Sequence, residues 1–150
     1  MLAPETARRR AVVRGATKYL GALHRLFYRA SGGRIGARVW GLPVVLLTTI
    51  GRRTGKTRTV ALCSLRDGDD TIVVASYGGL DRPPAWWLNL EANPQAELQT
   101  GRTRRAVTAR NASPAERARL WAEVTAQAPG YLDYERRTSR EIPVVILRPR

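Results

Sequence analysis

Val44-Val45-Leu46-Leu47-Thr48-Thr49-Ile50-Gly51-Arg52-Arg53-Thr54-Gly55-Lys56-Thr57-Arg58 sets an apolar, β-branched run directly against a loop with four cations and two glycines. The run over residues 43–50 has the composition of a buried strand. In the loop, glycine lets backbone N–H groups come close to a ligand, and the cations neutralise phosphate or carboxylate. A strand running into such a loop suits an anionic tail. The loop is not a Walker A motif, because the G-x-x-x-x-G-K-[ST] spacing is absent and no helix pattern follows, and it is not a Rossmann fingerprint. Taken alone it reads equally well as a solvated hairpin.

Outward from this stretch the pattern stays with strands. A second is expected at about 58–66, a tight hairpin turn at Asp67-Gly68-Asp69, and a third strand over Thr71–Ser76. Pro83-Pro84 opens a short helix, Ala85–Ala92, which carries Trp86, Trp87 and Leu90, and Asn93-Pro94 stops it. Strands at about 96–100 and 104–110 flank Gly101. Ser113-Pro114-Ala115-Glu116 is a capping box, and the helix it starts is expected to bury Ala118, Trp121, Val124 and Ala128 before Pro129-Gly130. The apolar strand Ile142–Leu147 is expected to be central. On the N-terminal side, the pattern from Pro4 to about Ala30 is expected to be helical, with Ala11, Ala16, Tyr19, Leu20, Leu23, Leu26 and Phe27 able to share one face. Ser31-Gly32-Gly33 ends that helix. The fold class is therefore α+β, mainly β: about six antiparallel strands in a small barrel, with short helices covering its ends. Residues 1–38 form a basic amphipathic helix and linker, and residues 39–150 the barrel domain.

At 150 residues and 43% hydrophobic, the chain is long enough for a real core and ordinary in composition. Its longest apolar run falls far short of the roughly 20 residues of a membrane-spanning helix. Arg8-Arg9-Arg10 is not followed by an uninterrupted apolar segment, and Cys63 is the single cysteine, so a cytoplasmic protein is expected. The formal charge is +14, and residues 1–40 hold nine Lys/Arg against Glu5 alone. Charge of this size favours nucleic acid, anionic lipid or an anionic cofactor, and does not choose among them.

The residues exclude several chemistries more firmly. His24 is the single histidine, so neither a metal centre nor a Ser-His or Cys-His arrangement is expected. Any enzyme built here must rely on a bound group. Ala75-Ser76-Tyr77-Gly78-Gly79 leaves a strand, and its glycines would allow close approach to a planar ligand. It also reads as an ordinary strand exit.

The blocks G-R-R-T-G-K-T-R, L-R-D-G-D, V-A-S-Y-G-G, P-A-W-W-L-N-L-E-A-N-P, Y-L-D-Y and R-T-S-R-E-I-P-V-V, in this order over about residues 39–149, resemble the deazaflavin-dependent nitroreductase family of actinobacteria. The resemblance implies a split β-barrel of the FMN-binding-like kind and coenzyme F420, whose deazaflavin carries a phosphate and an oligoglutamate tail. It implies hydride transfer from reduced F420 to a quinone or nitroaromatic acceptor. It places Arg52, Arg53, Thr54, Gly55, Lys56 and Arg58 on the phosphate and tail, Ala75, Ser76, Tyr77, Gly78 and Gly79 along the deazaflavin, and Trp86 and Asn89 in support. Tyr131 and Tyr134 would line the acceptor pocket and supply a proton, with Cys63 also on the acceptor side. Three positions depart from the family: Tyr77 replaces a lysine that helps hold the cofactor, and Cys63 and Ala128 replace acceptor-side tyrosines.

Rival readings are the same barrel holding flavin mononucleotide or haem, a basic nucleic-acid-binding module, and a cofactor carrier without turnover. Nucleic acid is not expected as a partner, because the aromatics are not interleaved with Arg/Lys as a stacking platform needs. The chain is expected to be a monomer or homodimer. Residues 5–30 either pack on the barrel or make peripheral contact with anionic lipid on the inner face of the cell membrane.

Overall fold

The computed structural model describes residues 38–39 and 41–150. The expected N-terminal helix and the 38/39 domain boundary therefore lie outside, or at the limit of, the described residues. Eight antiparallel strands form one sheet: β1 (Arg38–Val39), β2 (Leu42–Ile50), β3 (Thr57–Cys63), β4 (Leu65–Asp67), β5 (Asp70–Val74), β6 (Gln95–Thr100), β7 (Thr103–Asn111) and β8 (Val144–Pro149). The order is β1-β2-β6-β7-β8-β5-β4, with β3 on β2.

The expected second strand is two. Its alternation continues past Ser64, but the Ser64 N–H and hydroxyl both donate to the Pro43 carbonyl, at 2.8 and 3.1 Å. The chain leaves β2 at that corner and pairs with β5, Leu65 opposite Ile72. One continuous segment thus belongs to both edges of the sheet and curls it into a barrel. Counting β3–β4 as one bent strand, and leaving out the two-residue β1, gives the six strands expected from the sequence. The β4–β5 turn is Gly68-Asp69, with Asp67 opposite Asp70. The last strand starts at Val144 rather than Ile142 and is central, between β5 and β7.

Among the described residues three α-helices complete the domain: α1 (Ala85–Ala92), α2 (Pro114–Gln127) and α3 (Gly130–Arg137). α1 has the bounds its prolines dictate. α2 starts on the expected capping box, where Ser113 N–H donates to Glu116 Oε2 at 2.8 Å and Glu116 N–H to Ser113 Oγ at 3.3 Å. Its buried face is Leu120 and Val124, with Ala128 just beyond; Ala118 is exposed and Trp121 half-buried, contrary to expectation. The face is set by the sheet beneath, which receives Leu120 and Val124 among Ile72, Val74, Val144 and Ile146.

Two cores result. One fills the barrel interior with Val45, Leu47, Val73, Leu98, Val107, Val145 and Leu147, and takes in Trp86, Trp87 and Leu90 of α1. The other lies on the opposite sheet face under α2 and α3 and includes Tyr131, with Cys63, Trp121 and Tyr134 at its border.

Candidate functional site

The pairing registers carry the ends of β2 and β5 and the starts of β6 and β8 to one end of the barrel. Thr48 lies opposite Glu97, Gln95 opposite Thr108, Asn111 opposite Val145, and Val74 opposite Val144. The basic loop after Ile50 and the turn after Val74 therefore share that end.

The basic loop is held by its own main chain. Gly51 N–H donates to Lys56 O at 2.7 Å, Gly55 N–H to Gly51 O at 2.8 Å, and Lys56 N–H to Thr54 Oγ1 at 3.2 Å. Gly55 has φ +70°, which favours glycine, and a Cβ on Gly51 would sit 3.0 Å from Lys56 O. The two glycine amides are thus spent inside the loop. What the loop offers outward is side chains: Arg52, Arg53, Lys56 and Arg58 are exposed.

None of these four cations is in an ion pair among the described residues, where Asp67, Asp70, Glu116, Glu123, Asp133 and Glu141 all pair with other arginines. Four uncompensated cations on a preorganised loop fit a ligand rich in phosphate and carboxylate.

Asn89 ties this loop to α1. Its Oδ1 accepts from Arg52 N–H at 3.1 Å and from Arg52 Nη1 at 3.3 Å, and its Nδ2 donates to Thr49 Oγ1 at 3.1 Å. Asn89 and Thr49 are both buried. The side chain is thus committed to aiming Arg52. Trp86 is buried in the barrel core beside Trp87 and supports the end of the barrel from inside.

After Val74 the chain forms a one-turn 3-10 helix, Tyr77–Gly79, with φ of +47°, +63° and +77° in succession. Ala75, Ser76 and Gly79 are buried, whereas Tyr77 and Gly78 are exposed. A Cβ on Gly78 would meet nothing within 4 Å, but one on Gly79 would lie 2.7 Å from Tyr134 O and 3.0 Å from Arg137 Cβ. The close approach that Gly79 permits is to α3. The Arg82 guanidinium lies 5.7 Å from the Tyr77 ring centre.

The acceptor-side candidates divide. Tyr131 is buried, edge-on to Trp121 and Tyr134 at centroid distances of 6.4 and 5.9 Å. Its hydroxyl and the Cys63 thiol are hydrogen-bond partners. Burial, with the neighbouring Cys63 and Tyr134, pushes the Tyr131 hydroxyl well above the usual tyrosine range, so it is not poised to release a proton. Burial likewise pushes the Cys63 thiol up, and the Tyr131 bond only partly offsets this. Cys63 is therefore a packed thiol, not a nucleophile. Tyr134 is half-buried, with the Arg137 guanidinium 5.7 Å from its ring centre. Cys63 pairs with Val44, six residues along β2 from Ile50, or roughly 20 Å at strand rise. A ligand touching both the loop and this wall must be elongated.

Thr49 and Arg140 were not singled out in the sequence. Thr49 reads as strand filler, and only the fold reveals its bond to Asn89. Arg140 sits in the R-T-S-R-E-I-P block but carries no local signal of a role. A cavity of about 180 Å³ at the other end of the barrel, between Arg66, Thr71, Leu98, Arg105 and Val107, contains none of the candidate residues. Among the described residues no group of His, Cys, Asp and Glu is placed to hold a metal ion.

The sequence profile of the F420H(2)-dependent quinone reductases matches residues 22–149. An F420H(2)-dependent quinone reductase of Mycobacterium tuberculosis is 46% identical over 132 residues, covering 85% of this chain and 89% of that protein. Among solved structures, the F420-H2 dependent reductase FDR-A superposes with a TM-score of 0.65 at 37% identity, over 70% of this chain and 93% of its own. A domain-swapped dimer superposes with a TM-score of 0.67 at 33% identity, over 93% of this chain and 98% of its own. A split barrel with an unpaired cationic loop at one end, matched by this profile over most of its length, belongs to the F420H(2)-dependent quinone reductase family.

Proposed function

We propose that this chain reduces a quinone-type acceptor with reduced coenzyme F420, whose phosphate and carboxylate tail it holds on the Gly51–Arg58 loop. The observation that carries this reading is the set of four exposed cations without ion-pair partners, on a loop closed by its own main-chain bonds. Bound F420 would supply the hydride, which accounts for the absence of a histidine-based triad from the sequence.

The chain's own residues bind, orient and shield. Arg53, Lys56 and Arg58 neutralise the tail together with Arg52, which Asn89 aims. Thr54 and Gly55 shape the loop. Ala75, Ser76, Tyr77 and Gly78 border the ring system, and Gly79 lets α3 close against that border. Trp86 supports it from the barrel interior. Tyr134 orients the acceptor and is the residue placed to pass it a proton. Tyr131 and Cys63, bonded to each other, form the wall behind it.

The test is a fluorescence titration with oxidised F420, with flavin mononucleotide as competitor, on the wild type and on Arg53→Ala/Arg58→Ala. Micromolar or tighter binding that resists the competitor is expected, weakened in the double variant by roughly 2–4 kcal/mol, the scale of two charge-assisted contacts. Equal affinity in the double variant would show that the tail lies elsewhere.

No described helix is long and apolar enough to cross a membrane. A cytoplasmic location, with peripheral contact to anionic lipid through residues 5–30, is part of the proposal and is checked by co-sedimentation with anionic vesicles. A homodimer is proposed on the strength of the domain-swapped neighbour, with light scattering as its check.

A further inference from the structure

We propose that Arg140 is a positioning residue for the Tyr77–Gly79 turn, whose guanidinium fork sets the affinity for F420 by fixing that turn rather than by adding charge to the site. The inference rests on the reading of Ala75–Gly79 as the border of the cofactor site.

The turn has little to hold it. Three successive residues lie in the left-handed region, and Tyr77, at φ +47°, lacks the freedom of glycine. Its internal bonds are two, Gly79 N–H to Ser76 O at 2.9 Å and Leu80 N–H to Tyr77 O at 3.2 Å. Such conformations persist only where the surroundings over-determine them. Arg140 supplies the surroundings. Its Nε donates to Leu80 O at 2.8 Å, and its Nη2 to Ser76 O at 2.9 Å and Ala75 O at 3.3 Å. These carbonyls bracket the turn on both sides.

The segment that carries Arg140 is itself latched. Thr138 Oγ1 donates to Asp81 Oδ1 at 2.9 Å and accepts from Arg140 N–H at 3.3 Å. On the other side Gly79 abuts the Tyr134 main chain. The cofactor-side turn and the helix of the acceptor-side tyrosines are thus one mechanical unit with Arg140 as its pin. Arg140 Nη1 is buried with no hydrogen-bond partner among the described residues. An ammonium is a point charge on a flexible stem and cannot reach three carbonyls in this fork.

The test compares wild type, Arg140→Ala and Arg140→Lys in two measurements. Hydrogen exchange on the protein without cofactor should quicken at Gly79 and Leu80 in both variants, with protection elsewhere in the sheet retained. F420 titration should show a dissociation constant raised about tenfold or more in Arg140→Ala at unchanged stoichiometry. Most of that loss should remain in Arg140→Lys. Millimolar guanidinium chloride should restore part of it in Arg140→Ala where equal sodium chloride does not. A folding defect would instead lower the stoichiometry and leave the dissociation constant unchanged, and that result would overturn the proposal. So would wild-type affinity in Arg140→Ala, full recovery in Arg140→Lys, or unchanged exchange at the turn. If the wild type fails to bind F420, or Arg53→Ala/Arg58→Ala binds normally, the cofactor reading itself falls and the affinity half of this inference with it. Normal binding in Arg140→Ala beside weakened binding in Arg53→Ala/Arg58→Ala overturns this inference alone.

Discussion

Asn89 separates stability from cofactor binding in a way that two substitutions can expose. Its amide makes three bonds, two accepted from Arg52 and one donated to Thr49. Each such bond contributes about 1 kcal/mol net, and the contact to the exposed Arg52 guanidinium contributes least because water replaces it. Asn89→Ala also leaves the Thr49 hydroxyl, 1% exposed, without its amide donor. The sum is about 2–3 kcal/mol, or roughly 5–10 °C in melting temperature at about 2–4 °C per kcal/mol for a chain of this size. Asn89→Asp should behave differently. A carboxylate accepts from both Arg52 donors, and the Thr49 hydroxyl can turn to donate to it. The fold should then melt within a few degrees of wild type. The new charge would neutralise Arg52, however, leaving three free cations for the tail. F420 affinity should fall about tenfold, equivalent to 1.4 kcal/mol, and depend less steeply on salt. Differential scanning calorimetry and fluorescence titration read the two effects separately. An Asn89→Ala protein that melts within about 1 °C of wild type would refute the tether. An Asn89→Asp protein that binds F420 normally would refute the use of Arg52's charge.

Gly79→Ala should destabilise by about 3 kcal/mol in thermal melts, because its methyl would lie 2.7 Å from Tyr134 O in a left-handed backbone, whereas Gly78→Ala, with open space around it, should lose only about 1 kcal/mol. Tyr134→Phe should slow acceptor turnover at unchanged F420 affinity, and Tyr131→Phe should change turnover little, since the Tyr131 hydroxyl is bound to Cys63; steady-state kinetics with a soluble quinone checks both. Glu116 is held at about 2, below its ordinary 4.5, chiefly by Arg110 and then by Ser113, and Asp67 is lowered chiefly by Arg119. Both carboxylates have lower values folded than unfolded, so their stabilisation is complete above about pH 5 and lost as pH falls toward 2. Melting temperature should therefore decline through that window, and Glu116→Gln should flatten the decline.

What the sequence showed and what it hid divide along a physical line. α1 and the start of α2 were legible to the residue because prolines and a capping box act locally. The break between β3 and β4 was not, since Ser64 makes its corner through Pro43, 21 residues away. The buried face of α2 was misread for the same reason: α2 alone offers Ala118 and Trp121 as readily as Leu120, and the sheet decides. The basic loop was recognised as a unit, but the use of its glycine amides was not, because who receives a backbone N–H depends on how the loop closes. Asn89 was flagged and Arg140 was not, although both act by holding main chain. An asparagine in a recognised block invites attention, whereas an arginine in a chain with 26 Lys and Arg does not.

The three departures from the family pattern gain meaning from where they sit. If, as the resemblance implies, a cysteine and an alanine stand in place of acceptor-side tyrosines, that wall would open unless something moved in. Here Ala128 is packed with Val124 in the outer core, and the Tyr131 hydroxyl bonds the Cys63 thiol. Tyr131 is buried against Trp121 and Tyr134, and Tyr134 is the half-buried ring, flanked by Arg137. At the third departure Tyr77 is 44% exposed with Arg82 lying over it, so a cation stands next to the position even though the residue itself is neutral. The loop proposed for the tail keeps four exposed cations outside any ion pair among the described residues. On the proposed reading, then, this chain keeps the cationic loop of the family's site and departs from it at Tyr77 on the cofactor side and at Cys63 and Ala128 on the acceptor side. Its acceptor preference should follow the shape around Tyr77, Tyr134 and Arg137 rather than the chemistry of Cys63 or Tyr131. On that reading a quinone presents its ring to this rim, because Tyr131 and Cys63 are packed behind it.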